Sequence, residues 1–464
     1  MFAVLVHSIS PRIQYVFKEL LERRHGFFVR FYTEEAPFKE ASEPIKIQYL
    51  TQKKAQLPGF FVQQQEFMTQ NGVDELFTPE IGDLLLTGEQ KKELLYNLPD
   101  WERKTKEEQG VLGGFLEKPF PILFPTKDDL GFDFFAMAFW FLSRYEEYQS
   151  FKGDNLGRFT FKESFLGRKQ LDSLPAVDIA QYVFFNFIGI PISQYHKFNI
   201  AATVDIDMVF RFRKKGIFRI IGGFIKNPRY IIDRFVSLVS KLDDFAPEKT
   251  VIPFLKSTSH PDFKSMVFVL SSKKKDTINK QVLLENPSVK NQIKRLQANF
   301  KIGLHPSFSN NLNNDWSAEK EWLEGVIDNP VTSARLHYVR LLFPKSYSAL
   351  CELKIKEDWS MGFAESVGFR AGTSYPFSWF NLESEKETGL IVYPFQIMDV
   401  ACKNYMNLSR ENSTSKGYEL KRVVNLFGGT FCFIVHNESL SEKEGWKGWK
   451  CVFESWANPN VINL

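Results

Sequence analysis

Two hydrophobic periods alternate along the first part of the chain. FAVLVH (2–7) and FFVRFY (27–32) are short apolar runs that predict buried strands, and RIQYVFKELLERR (12–24) between them repeats its apolar positions at helical spacing. Interleaved α and β elements are therefore expected up to about residue 195. FFAMAFWFL (134–142), bracketed by Asp133 and Arg144, is apolar on every side. It is roughly half as long as a bilayer-spanning helix, so it predicts a buried helix. The helical pattern runs on through SRYEEYQS, which predicts one long helix closed by a polar turn at Lys152-Gly153-Asp154-Asn155. Ser143, Arg144, Glu146 and Glu147 would then sit at its end as solvated ion pairs.

Beyond residue 195 the pattern changes. FNIAATVD (198–205), SMVFVLSS (265–272), FKIGLH (300–305), TSARLHYV (332–339), GLIVYPF (389–395) and TFCFIVH (430–436) are apolar runs separated by longer stretches, one of them the helical EKEWLEGVI (319–327). Strands separated by helices predict crossover connections and a mostly parallel sheet or barrel covered on both faces. A chain of 464 residues also exceeds the roughly 250–300 residues that one core sustains. The expected organisation is a smaller mixed α/β domain over 1–195 and a β/α domain over 196–464.

Composition changes this picture little. The 44% hydrophobic share and 47 phenylalanines predict well-filled interiors, and 59 basic against 55 acidic side chains leave too little excess charge for a nucleic-acid surface. Four widely spaced cysteines without C-x-x-C spacing, and an N-terminus lacking a basic segment before its apolar run, point to a reducing, cytoplasmic setting. One segment, RFRKKGIFRIIGGFIKNPRYIIDRF (211–235), interleaves basic and apolar residues. It reads as an amphipathic helix on its own domain, with peripheral contact to a membrane or a lipid-linked glycan as the alternative.

Chemistry enters where the expected strands stop. Asp205, His305, His337 and His436 all lie at or just past such ends, and Asp207 follows Asp205 after one residue. In parallel β/α architectures these ends converge on one face. Two carboxylates meeting at a dry strand end repel unless a cation lies between them, and a neutral imidazole is a good ligand for a borderline divalent ion. Arg335 and Arg370, beside short extended segments, are candidates to orient a carboxylate. Trp359, Phe363, Tyr375, Phe377 and Trp379 could stack on sugar rings or fill the core.

These residues resemble the NodB-type polysaccharide deacetylases, over roughly 196–440. TVDID is similar to that family's first motif, GLHPS to the second, SARLHY to the arginine-bearing third, KEDWSMGF to an Asp-Ser stretch and FIVHNES to the last, all in the family's order. FLSRYEEY and DNLGRF look like an accessory segment that precedes such domains in a bacterial subgroup. The resemblance implies a distorted (β/α) barrel and a metal-dependent hydrolase that removes an N-acetyl group from an amino sugar in a polysaccharide or glycan precursor. It also implies one divalent ion, zinc foremost with cobalt or nickel as alternatives. Asp205 would be the base, Asp207 and His305 metal ligands, His436 the acid, and Arg335 or Arg370 the group orienting Asp205. The two aspartates could exchange roles, since Ile206 separates residues that are often adjacent in the family. The sequence departs at Ser309, where the family usually carries a second histidine, and Asn310 follows. His337 is our own candidate for the third ligand. A non-catalytic sugar-binding or assembly protein on a degenerate barrel, and an amide hydrolase with a substrate other than a sugar, are the competing readings.

Overall fold

The computed structural model describes residues 1–85, 87–89, 119–171, 173–191, 197–211, 243–258, 263–272, 284–308, 316–443 and 445–458. Strands β1 (Phe2–Leu5), β2 (Val29–Tyr32), β3 (Ile45–Leu50) and β4 (Phe60–Gln63) form a parallel sheet in the order β2-β1-β3-β4. The crossover from β1 to β2 is the expected helix, Pro11–Phe17, which continues as a wider turn over Lys18–Arg23. Ser10 caps it by accepting the Ile13 N–H at 3.1 Å, and Pro11 follows at a position where a missing N–H costs nothing. A short antiparallel ladder of β5 (Ile81–Leu84) and β6 (Phe120–Leu123) comes next.

The long helix expected from residue 134 is broken. Phe134–Leu142 ends at Ser143, Arg144 turns left-handed at φ 58°, and Tyr145–Tyr148 begins a separate helix. The polar cluster at the break is buried rather than solvated, with Arg144 fully enclosed and Glu147 4% exposed. The left-handed turn brings the Arg144 guanidinium back onto Glu147 at 2.8 Å and Glu146 at 3.1 Å. A helix carried straight through would take the buried Arg144 guanidinium away from both carboxylates, which costs more than one strained residue.

The remaining strands are β7 (Phe198–Ile206), β8 (Phe263–Leu270), β9 (Lys301–His305), β10 (Ser333–Ala334), β11 (Glu357–Met361), β12 (Phe377–Asn381), β13 (Lys386–Pro394), β14 (Ile397–Met398) and β15 (Gly429–His436). They form one sheet in the order β12-β13-β11-β10-β9-β8-β7-β15-β14, parallel throughout except for β12 against β13. The sheet must curl, because β13 and β14 lie towards opposite edges yet are consecutive in the chain. Between them the Phe395 N–H donates to Met361 of β11, and the Gln396 N–H donates to Cys432 of β15, both at 2.9 Å. The central strands read as continuous apolar runs because both faces are covered: β7 is buried from Ile200 to Ile206 and β15 from Gly429 to Val435.

One apolar cluster runs from Phe2 through Phe134 to Trp456 and so reaches from the first sheet to the last helix. The boundary expected at 195–196 and nearly all of the basic segment 211–235 lie outside the described residues. Among those described, no helix is long and apolar enough to cross a membrane. Its four cysteines are all free thiols.

Gly303 in β9 shows how tightly the sheet's interior is filled, since a Cβ there would lie 2.5 Å from the Phe268 ring and 3.0 Å from the Ser333 carbonyl. Gly303→Ala should therefore lose about 1–3 kcal/mol of stability through overpacking. Urea denaturation reads this directly, and an unchanged midpoint would contradict the packing described.

Candidate metal centre

Because the strands around β7 are parallel, their C-terminal ends open on one rim. β7 brings Asp205 there, with Asp207 just beyond it, β9 ends in His305, and β10 leads into Arg335 and His337. β15 ends in His436, whose register partner on β7 is Asp205. Ligand atoms of Asp207, His305 and His337 lie within 4.8 Å of one another and could hold a metal ion. His305 Nε2 is 3.3 Å from Asp207 Oδ1, and His337 Nε2 is 3.6 Å from Asp207 Oδ2.

The orientation of these groups suits a cation. His305 Nδ1 lies 2.6 Å from the Arg335 carbonyl, which can only accept, so Nδ1 carries a proton and Nε2 is the nitrogen left for Asp207 or a cation. Burial opposes charge on this ring, but Asp205 and Asp207 outweigh it and raise its pKa. Both His305 Nε2 and Asp207 Oδ1 are buried and make no hydrogen bond. Buried polar atoms are rarely left this way, and a cation between them would satisfy both. Two imidazoles and one carboxylate form a set that suits zinc or a similar borderline ion with positions left open. Burial lowers the pKa of His337, favouring the neutral ligand form, although Asp207 pulls the other way. Burial alone would raise Asp207, but His337 and His305 outweigh it and hold its pKa well below the ordinary carboxylate value.

Asp205 is held separately. Arg335, fully buried, donates from Nη1 to Asp205 Oδ1 at 2.9 Å and from Nε to the Trp359 carbonyl at 2.9 Å. Asp205 Oδ2 stays on the side of His305, 4.0 Å from its Nε2. Support for the His337 loop comes from the Asp-Ser stretch: the Leu336 N–H donates to Ser360 Oγ at 2.8 Å, and Ser360 Oγ donates to Asp358 at 2.6 Å. Across the rim, Asp399 accepts from the His436 N–H at 2.7 Å and lies 2.8 Å from its Nδ1. Burial opposes charge on His436, but Asp399 first, then Asp207 and Asp205, hold its pKa well above the ordinary value.

The structure thus brings Asp205, Asp207, His305, Arg335, His337 and His436 to one rim. It does not bring Arg370 to Asp205. That guanidinium forms a bidentate pair with Glu147, at 2.9 and 2.5 Å, and donates to the Gly362 carbonyl at 3.0 Å. Arg335 alone of the two candidates reaches Asp205; the other is held by Glu147, which it shares with Arg144. Trp359, Phe363, Tyr375, Phe377 and Trp379 are all buried, so they fill the interior rather than offering open faces to a sugar. Ser309 and Asn310 lie outside the described residues.

Asp399 was missed in the sequence, although it obeys the same rule as the others. It follows the two-residue strand β14, whose shortness hid it among the neighbouring apolar residues.

Comparison with known proteins adds little to this geometry. Residues 2–189 match a family model described as a family of unknown function, DUF7033. No curated protein matches the sequence. A solved structure from Mycobacterium smegmatis, provisionally described as a polysaccharide deacetylase, is 13% identical over 56% of this chain and 82% of its own, with a TM-score of 0.34. So distant a likeness carries no functional weight.

Two substitutions separate the metal centre from the buried ion pair. Arg370→Met should cost about 3 kcal/mol, the lower end for breaking a buried pair, because it removes the bidentate partner of Glu147 and leaves Arg144 alone with that carboxylate, and leave divalent-ion affinity intact. His337→Ala should lose most ion affinity at near wild-type stability. Denaturation curves and competition with a chromophoric chelator would show the reverse pattern if the two residues had exchanged roles.

Proposed function

We propose that the protein is a metal-dependent hydrolase that removes the N-acetyl group from an amino sugar in a polysaccharide or glycan precursor. The observation that carries this reading is the division of labour on one rim. A ligand set with unsatisfied buried atoms stands beside a carboxylate pinned by arginine, with a carboxylate-polarised histidine at the neighbouring strand end. The order of motifs along the chain supplies the substrate class.

Asp207, His305 and His337 would hold the ion, zinc being the expected one. When bound, it supplies a Lewis acid that polarises the acetyl carbonyl and makes water more acidic. The rest is done by side chains. Asp205 takes the proton from the attacking water on Oδ2, while Arg335 fixes Oδ1 and keeps the carboxylate from swinging onto the ligand set. His436, kept protonated by Asp399, gives its proton to the sugar nitrogen as the C–N bond breaks. Water's oxygen leaves in acetate, and the sugar leaves as the amine.

Acetate release from N-acetylated saccharides, assayed with the metal content of the purified protein, tests the proposal. Absence of both a bound divalent ion and recovery on adding zinc, cobalt or nickel would favour the sugar-binding reading. Release only from N-acetyl compounds that are not sugars would favour the other amide hydrolase. Asp205→Asn should cut turnover by ~10²–10⁴-fold, the usual worth of a positioned base, with metal still bound. Asp399→Asn should act on pH dependence. Its carboxylate raises the His436 pKa, so its loss lowers that pKa and leaves less acid form at alkaline pH. The basic limb of kcat/KM should then move to lower pH, and a profile that stays in place would remove Asp399 from the role.

A further inference from the structure

The turn Asp154-Asn155-Leu156-Gly157-Arg158 belongs to the part of the chain that precedes the large sheet, yet it grips the loop that carries His337. That loop is strained. Tyr338 and Val339, directly after His337, both have left-handed backbones, at φ 61° and 56°. For a β-branched residue such as Val339 this is an outlier, and strain of this kind persists only where the surroundings over-determine it. Arg158 supplies the determination. It is 4% exposed, and its Nη1 donates to the Tyr338 carbonyl at 3.2 Å. Its Nη2 donates to Tyr405 Oη at 3.2 Å, and its Nε donates to Asp154 at 2.7 Å. The guanidinium also lies 5.5 Å from the centre of the Tyr405 ring. A second arginine pins the same loop from the other direction, with Arg340 Nε donating to the Leu156 carbonyl at 2.7 Å.

Two of the partners of Arg158 lead to different halves of the rim. Tyr338 adjoins His337 in the ligand set, whereas Tyr405 closes the helical turn Ala401–Tyr405, which starts two residues after Asp399. We infer that Arg158 is a positioning residue that holds the His337 loop and the Asp399 segment in one mutual geometry through its bonds to Tyr338 and Tyr405. This rests on the reading of His337 as a metal ligand and extends it to a segment whose sequence suggested no chemistry.

The test is divalent-ion affinity, measured with zinc and cobalt by chelator competition on the full chain, alongside thermal unfolding and steady-state kinetics. Arg158→Met should weaken ion binding by about tenfold or more, the scale of groups that orient metal ligands, with cooperative unfolding retained. Arg158→Lys, which keeps a cationic donor, should recover part of the loss. Tyr405→Phe removes only the bond towards Asp399, so it should leave affinity within about twofold while lowering kcat at constant KM. If Arg158→Met does not fold, Asp154→Asn on the partly exposed turn should still weaken ion binding. Wild-type affinity in a folded Arg158→Met, or in Asp154→Asn where the first fails to fold, overturns the proposal. A wild-type protein that binds no ion sinks the metal centre and this inference together. One that binds ion tightly but releases no acetate sinks only the hydrolase reading.

Discussion

The site depends on one residue, Arg335, and on its needing a partner. Its guanidinium is buried without a water-exposed face, 4.5 Å from the centre of the Phe268 ring, and the Asp205 carboxylate is the charge that pairs it. An unpaired guanidinium there would cost several kcal/mol, so the pair is held firmly. The same residue's carbonyl accepts from His305 Nδ1 and so decides which imidazole nitrogen offers a lone pair. Side chain and main chain of a single position thereby set both the proposed base and a proposed ligand.

Buried charge also ties the early part of the chain to the large sheet. Arg12 pairs with Glu385 and Glu147 with Arg370, while Arg24 pairs with Asp178 within the early part, each spanning well over a hundred positions. Asp178 in turn accepts from Thr373 Oγ1 and the Ser374 N–H. Such pairs are weak sources of net stability, but each is costly to break from one side. They therefore fix the register of one part of the chain on the other more than they add to the total. The Arg158 contacts extend this arrangement to the rim.

What could be read from the sequence follows from range. Strands such as FNIAATVD and TFCFIVH announce themselves by local composition, and the rule that parallel strand ends converge then named Asp205, His305, His337 and His436 without any contact being known. The fate of Arg370 could not be read this way. Its partner Glu147 is remote in sequence, and both belonged to polar stretches that look like ordinary surface. The left-handed turn at Arg144 was hidden for the same reason, because helical periodicity carries no information about a buried carboxylate that the turn must serve. Nor could composition separate the stacking candidates from core, since an aromatic residue that fills an interior and one that faces a sugar look alike in sequence.

The D-x-D spacing finds its explanation in how the two charges are divided. Asp205 is the last charged position within β7 and is directed to Arg335, while Asp207 lies one step past the strand end, where it meets two imidazoles. Were the aspartates adjacent in an extended strand, their side chains would leave on opposite faces; one intervening residue gives the same face only while the strand continues. Because β7 stops at Ile206, the second carboxylate is free to turn away from the first: Asp205 meets the Arg335 guanidinium and Asp207 meets the imidazoles of His305 and His337. The two buried carboxylates are thereby kept as distinct acceptors, one held by arginine and one left beside two imidazoles, where a cation would offset its charge.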